Sequence, residues 1–254
     1  MEITVFSGIV LVGAGVVAGA VNAVAGGGTF FSFPVFLALG LPPVVANASN
    51  AVSVWPGHAL ACLEYRRELQ SIGRLRLASF ATVAGIAGAL GAYALASIGN
   101  AAFVKIVPFL LLAATVLFAF GPSINRFLGK HQPSFSITGL IGIGLFSLYG
   151  GFFGAGLGIM LMAGLLLLGF TESNLNNAIK NLLATVVTSI AVLVFAVSGL
   201  VAWPHTICAF SGALIGGLAG AKVARLLPQQ VLRGAIIALG SVLTILYALK
   251  YYLP

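Results

Sequence analysis

Eight apolar stretches decide what this chain can become. They cover roughly 3–24, 43–63, 77–98, 102–120, 134–153, 173–199, 203–224 and 231–251. Each approaches the roughly 20 residues that a helix needs to cross a hydrocarbon core of about 30 Å. The rest of the chain cannot offset them in water. Of its 254 residues, 60% are hydrophobic and 6% charged, against about 25% charged in a soluble domain. That excludes a soluble globular domain, a disordered chain and a disulfide scaffold. An all-α polytopic integral membrane protein remains.

Two shorter apolar stretches stand apart, Thr29–Leu39 and Gly158–Leu168, each of 11 residues. As helices they measure about 17 Å, half a bilayer core. Each follows a glycine cluster: Gly26-Gly27-Gly28 in one case, Gly154, Gly156 and Gly158 in the other. Each ends in a similar turn, Leu39-Gly40-Leu41-Pro42-Pro43 against Leu168-Gly169-Phe170-Thr171-Glu172. An asparagine-bearing helix start then follows, Ala46-Asn47-Ala48-Ser49-Asn50 against Asn177-Ala178-Ile179-Lys180-Asn181. Further on, Gly88-Ala89-Leu90-Gly91-Ala92 aligns with Gly216-Gly217-Leu218-Ala219-Gly220, and Lys105 with Arg233. The chain therefore reads as two repeated halves at an offset of about 130 residues. The first membrane repeat is 1–125, a polar joint is 126–133, and the second repeat is 134–254. The expected fold has eight long helices plus two short half-helices after glycine-rich breaks, a construction common among secondary transporters.

Charge orients the helices. Net charge is +8, Asp is absent, and the acids are Glu2, Glu64, Glu68 and Glu172. The basic residues lie mostly between apolar stretches, which points to membrane orientation and away from nucleic acid. Arg66, Arg67, Arg74 and Arg76 form one cluster, Arg126 and Lys130 a second, and Lys222, Arg225 and Arg233 a third. If the short stretches only dip in beside four full spans per half, the third cluster lies opposite the other two. If each short stretch pairs with its preceding helix as a hairpin, all three share a face, leaving Lys105 and Lys250 near the other. The positive-inside rule prefers the hairpin arrangement, which makes the halves inverted repeats. Cys62 and Cys208 lie in apolar segments and read as small core residues. The start Met1-Glu2-Ile3 has no basic n-region, so no signal peptide is expected.

The glycine clusters bear two readings. Small residues let helices pack closely. A helix break at membrane depth exposes N–H groups, is tolerated only against protein or a watery cavity, and forms an anion site with the positive end of a helix dipole. The recurrence of the cluster in both halves favours the break, with Gly26, Gly27, Gly28, Gly154 and Gly156 as candidate binding positions. Lys180 sits about seven residues into an apolar segment beside Asn177 and Asn181. Burying it costs about 2.5–3.5 kcal/mol on insertion scales, so it reads as an anion ligand, or else as a snorkelling side chain. Asn47 and Asn50 are three apart and Asn177 and Asn181 four apart, so each pair shares a helix face. They read as further ligands or as interhelical ties. Asn22 and Thr29 flank the first cluster and could line the same cavity. His58, behind Trp55-Pro56-Gly57, reads as a packed, hydrogen-bonded residue or as a proton carrier; His205 receives no role. No acid lies deep in a span, so carboxylate-based coupling has no seat, and no paired-acid, metal or nucleophile–histidine arrangement points to an enzyme.

Ala25-Gly26-Gly27-Gly28, Pro34, Leu39-Gly40-Leu41-Pro42-Pro43, Ala46-Asn47-Ala48-Ser49-Asn50 and the basic Tyr65-Arg66-Arg67 together resemble the TauE/SafE sulfite exporter family. The second glycine cluster and Gly212–Ala221 resemble its C-terminal repeat, so the resemblance covers nearly the whole chain. Lys180-Asn181 departs from the small or hydroxyl residues expected there. The resemblance implies a transporter of the cytoplasmic membrane that exports sulfite, sulfoacetate or similar sulfonates, with the anion held near the midplane between the repeats. A passive anion channel is the rival reading. Expected partners are a small sulfur-containing anion and membrane lipid; a homodimer is left open, and no metal or cofactor is expected.

Overall fold

The computed structural model describes residues 3–128, 137–170, 172–223 and 229–253. Lys130 and Arg225, two of the cations used to orient the chain, lie outside them. The described residues form α-helices and one 3-10 turn, with no strand: α1 (Val5–Ala25), α2 (Thr29–Ala38), α3 (Pro43–Glu64), the turn Glu68–Ser71, α4 (Arg74–Ser97), α5 (Asn100–Leu128), α6 (Ile137–Phe152), α7 (Leu157–Leu167), α8 (Ser173–Val197), α9 (Trp203–Val223) and α10 (Gln229–Tyr252). Five of them, α1, α4, α5, α8 and α10, are long and apolar enough to cross a membrane. They expose large apolar side chains at helical spacing, as with Ile86, Leu90 and Tyr93 on α4 and Val242, Ile245, Leu246 and Leu249 on α10. Such faces suit lipid, which asks nothing polar of a helix that has paired its own backbone. The long helix α3 is different. Asn47, Ser49, Asn50, Ser53 and His58 run along it, and every one is buried, so its polarity faces protein.

Local chemistry sets the ends of the helices. Thr4 and Ser7 cap α1 reciprocally, the Ser7 N–H on Thr4 Oγ1 at 3.2 Å and the Thr4 N–H on Ser7 Oγ at 2.9 Å. The two short helices end alike. Gly40 and Gly169 take φ of 84° and 83°, the left-handed region that glycine enters without a Cβ penalty. The next N–H then reaches back, Leu41 to Phe36 O at 3.3 Å and Phe170 to Leu165 O at 3.0 Å.

Helices from the early and late parts of the chain interlock. α1 packs on α9, and α6 packs on α4 in the corresponding way; α4 lies on α8 as α9 lies on α3. In the α1–α9 pair, Gly15 meets Ala209, Gly19 meets Ala213, Gly212 meets Val12 and Gly216 meets Val16. Both series rise together, so the helices run in the same direction. A Cβ on any of these four glycines would overlap a backbone carbonyl oxygen of the partner. α4 and α6 also run together, with Gly144 near Val83 and Gly151 against Gly88.

The helices α3 and α8 run oppositely. α3 starts beside the starts of α5 and α9, where Asn100 Oδ1 accepts from the Val44 N–H and Ser49 Oγ from the Ala202 N–H, both at 2.9 Å. α8 starts at the other end, by the turn that joins α3 to α4, and Phe170 there sets its ring 5.9 Å from that of Phe80 on α4.

This packing yields a sharp contrast. Gly216→Val has no room against the Val16 carbonyl, whereas Gly217, next to it in α9, has nothing within 4 Å of its Cβ position. We expect Gly216→Val to cost about 3 kcal/mol or more and Gly217→Val well under 1 kcal/mol beyond their shared helix-propensity term. Thermal melts of the two purified variants check this.

Candidate functional site

The site grows from the two breaks. Gly26 stops α1 with φ of 71°, its N–H held by Asn22 O at 3.1 Å. Gly154 and Gly156 turn the chain out of α6 with φ of 79° and 74°. Both chains then fold back. Gly28 packs against Ala18 and Asn22 of α1, and Gly164 of α7 lies against Phe146 and Ile143 of α6. The two bends touch: a Cβ on Gly26 would stand 3.3 Å from Gly158 Cα, and one on Gly158 would stand 3.5 Å from Gly26 Cα. The two glycine clusters, far apart in the chain, are thus in contact.

Lys180 lies over this contact. A Cβ on Gly158 would be 3.7 Å from Lys180 Cδ, so the lysine stem crosses the bare glycine, and its ammonium donates to Asn177 Oδ1 at 3.1 Å. The side chain is half-buried. Asn181, one position on, is buried and makes no side-chain hydrogen bond among the described residues. Nearby, Asn22 Nδ2 sits 3.2 Å from His58 Nε2. Gly57 makes that pairing possible, because a Cβ there would be 3.2 Å from the Asn22 amide nitrogen.

The other candidate ligands are tied into the scaffold. Asn50 accepts from Ser32 Oγ and donates to Thr29 Oγ1 at 3.3 Å, so it pins the start of α2 to α3 with both ends of its amide. Asn47 reaches into the second half, donating to the Phe152 carbonyl at the end of α6 at 2.9 Å. Its Oδ1 is buried without a partner. Among the described residues, the arrangement brings one cation, several amides and two helix starts into one contact region. Groups of these kinds are donors that an anion can pair with.

A separate cavity of about 280 Å³ is lined by Ser71, Gly73, Arg76, Gly169, Glu172 and their neighbours. It lies at the far end of α7, about 16 Å along that helix from the break. None of its lining residues belongs to the contact of the breaks.

Comparison with known sequences fits this geometry. Residues 11–247 match the family described as "Sulfite exporter TauE/SafE". The chain belongs to the TauE/SafE sulfite exporter family. Curated relatives of this TauE/SafE chain carry names of the same kind. A "Probable membrane transporter protein" of Haemophilus influenzae is 30% identical over 237 residues, 91% of this chain and 90% of the relative. "Probable membrane transporter protein ORF9" of a Sinorhizobium species is 26% identical, covering 90% of this chain and 87% of its own. "Probable membrane transporter protein YfcA" of Escherichia coli K12 is 25% identical, covering 89% and 84%. No solved structure matches. The chain is a multi-pass membrane transporter of this family.

Around the breaks of this TauE/SafE chain stand residues that the sequence reading passed over. Phe118 of α5 is buried between the breaks: a Cβ on Gly27 would lie 3.0 Å from its ring and one on Gly156 3.3 Å from it. Its carbonyl accepts from Arg233 Nε at 3.0 Å, and Arg233 also bonds the Ala119 carbonyl. The signal for this was present, since Pro122 has no N–H to give the carbonyl four residues earlier. Tyr149 donates to the Ala155 carbonyl at 2.9 Å and so pins the second break. Asn176, adjacent to the chosen Asn177, is the buried one of the pair and donates to Phe170 O at 2.8 Å.

Proposed function

We propose that this chain is a secondary transporter that moves small sulfur-containing anions, namely sulfite, sulfoacetate or a similar sulfonate, outward across the cytoplasmic membrane. In this reading the anion binds where the tips of two inverted repeats meet, 1–125 and 134–254, with 126–133 joining them. The observation that carries it is the contact of Gly26 with Gly158 beneath the Lys180 stem. An anion leaving water must replace its hydration. A sulfonate has three acceptor oxygens, and an ammonium, asparagine amides and helix-start N–H groups are donors of the right kind. The family match supports the choice of sulfur-containing anions. The inverted relation draws support from the exchangeable packing scheme and from the opposite courses of α3 and α8. Two hairpins, α1–α2 and α6–α7, then enter from opposite faces and meet at their bends.

The test is flux in proteoliposomes. Sulfite or sulfoacetate should enter a saturable path that exchanges with labelled anion on the other side. Flux that never saturates and shows no counterflow would replace the transporter with a channel. Flux of neutral solutes alone would remove the anion site. For the topology, single cysteines at Arg74 and Arg225 should be labelled from the same face; labelling from opposite faces would discard the inverted repeat.

A further inference from the structure

We infer that the cavity between the start of α4 and the turn from α7 to α8 binds a zwitterion made of a phosphate and a primary ammonium, the headgroup chemistry of phosphatidylethanolamine. Its volume is about 280 Å³, near the low end of ligand cavities at about 300–1,000 Å³, which suits a small polar group. Two opposite charges line it, Arg76 from the first turn of α4 and Glu172 from the start of α8. Both side chains are exposed. Among the described residues no ion pair joins them, and neither makes a side-chain hydrogen bond. Glu172 even stands at the N-cap of α8 without making a capping bond. A ligand of one sign would meet one of these charges as an opponent; a zwitterion meets both as partners. The guanidinium fork matches a phosphate. Gly73 lies on the same wall, where the Arg76 and Leu77 N–H groups close the first turn of α4 on its carbonyl at 3.0 and 3.2 Å. The N–H groups ahead of Arg76 therefore have no partner within the helix, and no side chain caps it. At the other end, a primary ammonium brings three donors to the Glu172 carboxylate. Buried Phe170 and half-buried Leu175 supply apolar surface for the two-carbon link between the charges.

The level of the cavity along the helices points to lipid as the source of this headgroup. Leu63 in the last turn of α3 is 61% exposed and Leu75 in the first turn of α4 is 84% exposed. Beside a bilayer, such leucines face acyl chains. Arg66, Arg67, Arg74 and Arg76 lie in the same short stretch, and arginines at the end of a span sit in the headgroup layer of the cytoplasmic side. The turn thus crosses from the acyl region into the layer that holds a lipid's phosphate and ammonium. A headgroup bound there would bridge the α3–α4 turn to the α7–α8 turn, which are far apart in the chain. Free phosphoethanolamine offers the same two charges from water, and the experiment separates the two sources. The inference does not rest on the anion site at the breaks.

Thermal melts of the purified full-length protein in detergent test this, with rising mole fractions of phosphatidylethanolamine, phosphatidylglycerol or phosphatidylcholine of identical acyl chains, and with soluble phosphoethanolamine. A ligand that binds the folded state raises its melting temperature by mass action. We expect phosphatidylethanolamine to raise it saturably, by about 4 °C or more. Phosphatidylglycerol has no ammonium, and the ammonium of phosphatidylcholine has no N–H. Each should need about tenfold more lipid for the same rise. Glu172→Gln should abolish the preference for phosphatidylethanolamine over phosphatidylglycerol, and Arg76→Gln should weaken the effect of all three lipids. Arg66→Gln, exposed in the same turn and outside the cavity, should behave as wild type. Equal stabilisation by the three lipids overturns the inference, and so does a preference that survives in Glu172→Gln. Stabilisation by soluble phosphoethanolamine but by no lipid upholds the zwitterion site and assigns its ligand to water. Stabilisation by neither removes the site. If Glu172→Gln does not fold, the wild-type ranking of the lipids decides alone.

Discussion

Lys180→Met is expected to reduce anion flux to about 1% of wild type or less, with the protein still inserting and purifying normally. Methionine keeps an unbranched apolar stem across Gly158 and removes only the charge. A unit charge about 4 Å from an anion is worth about 4 kcal/mol at an effective dielectric near 20, and even 3 kcal/mol is roughly a hundredfold in affinity. Lys180→Arg should also fall well short of wild type. The planar guanidinium is longer and forked, and it replaces a compact ammonium that bonds Asn177 Oδ1 at 3.1 Å. Flux measured in parallel on the three proteins decides the matter. Wild-type rate and apparent affinity in Lys180→Met would reduce the lysine to snorkelling and leave the site to backbone dipoles and asparagines.

Gly26→Ala is expected to be nearly as severe, for a different reason. Its φ of 71° costs an alanine about 1–2 kcal/mol, and the new methyl would stand 3.3 Å from Gly158 Cα. The bends must separate to admit it. Transport should fall more than tenfold, with the melting temperature lowered by several degrees. Gly13→Ala, in the same helix with nothing within 4 Å of its Cβ position, should change neither. An active, fully stable Gly26→Ala protein would mean that the contact between the bends is not the working part of the molecule.

What could be read from the sequence was what depends on one segment at a time. Apolar runs of about 20 residues mark helices because an unpaired backbone is so costly in lipid. The paired glycine clusters marked the bends, since Gly26, Gly154 and Gly156 need a backbone conformation that other residues resist. What could not be read depends on how helices face one another. Asn176 and Asn177 differ by about 100° around α8, and nothing local says which points inward. Asn50 has the chemistry of an anion ligand, yet Thr29 and Ser32 occupy its amide. Phe118 is one of 18 phenylalanines, and only the fold sets it between the bends. The pairing of α1 with α9 was equally hidden, because stripes of small residues will accept any close neighbour.

That pairing has a consequence for how the protein is made. α1 leaves the ribosome well before α9, and its glycine-bearing face fits this partner, whose last residue is Val223. At about 5–20 residues per second, the roughly 200 residues between the ends of the two helices take about 10–40 s to synthesise. Throughout that interval α1 must wait in the bilayer with its seam open to lipid. The packing of α1 therefore cannot be completed before α9 has been delivered to the bilayer.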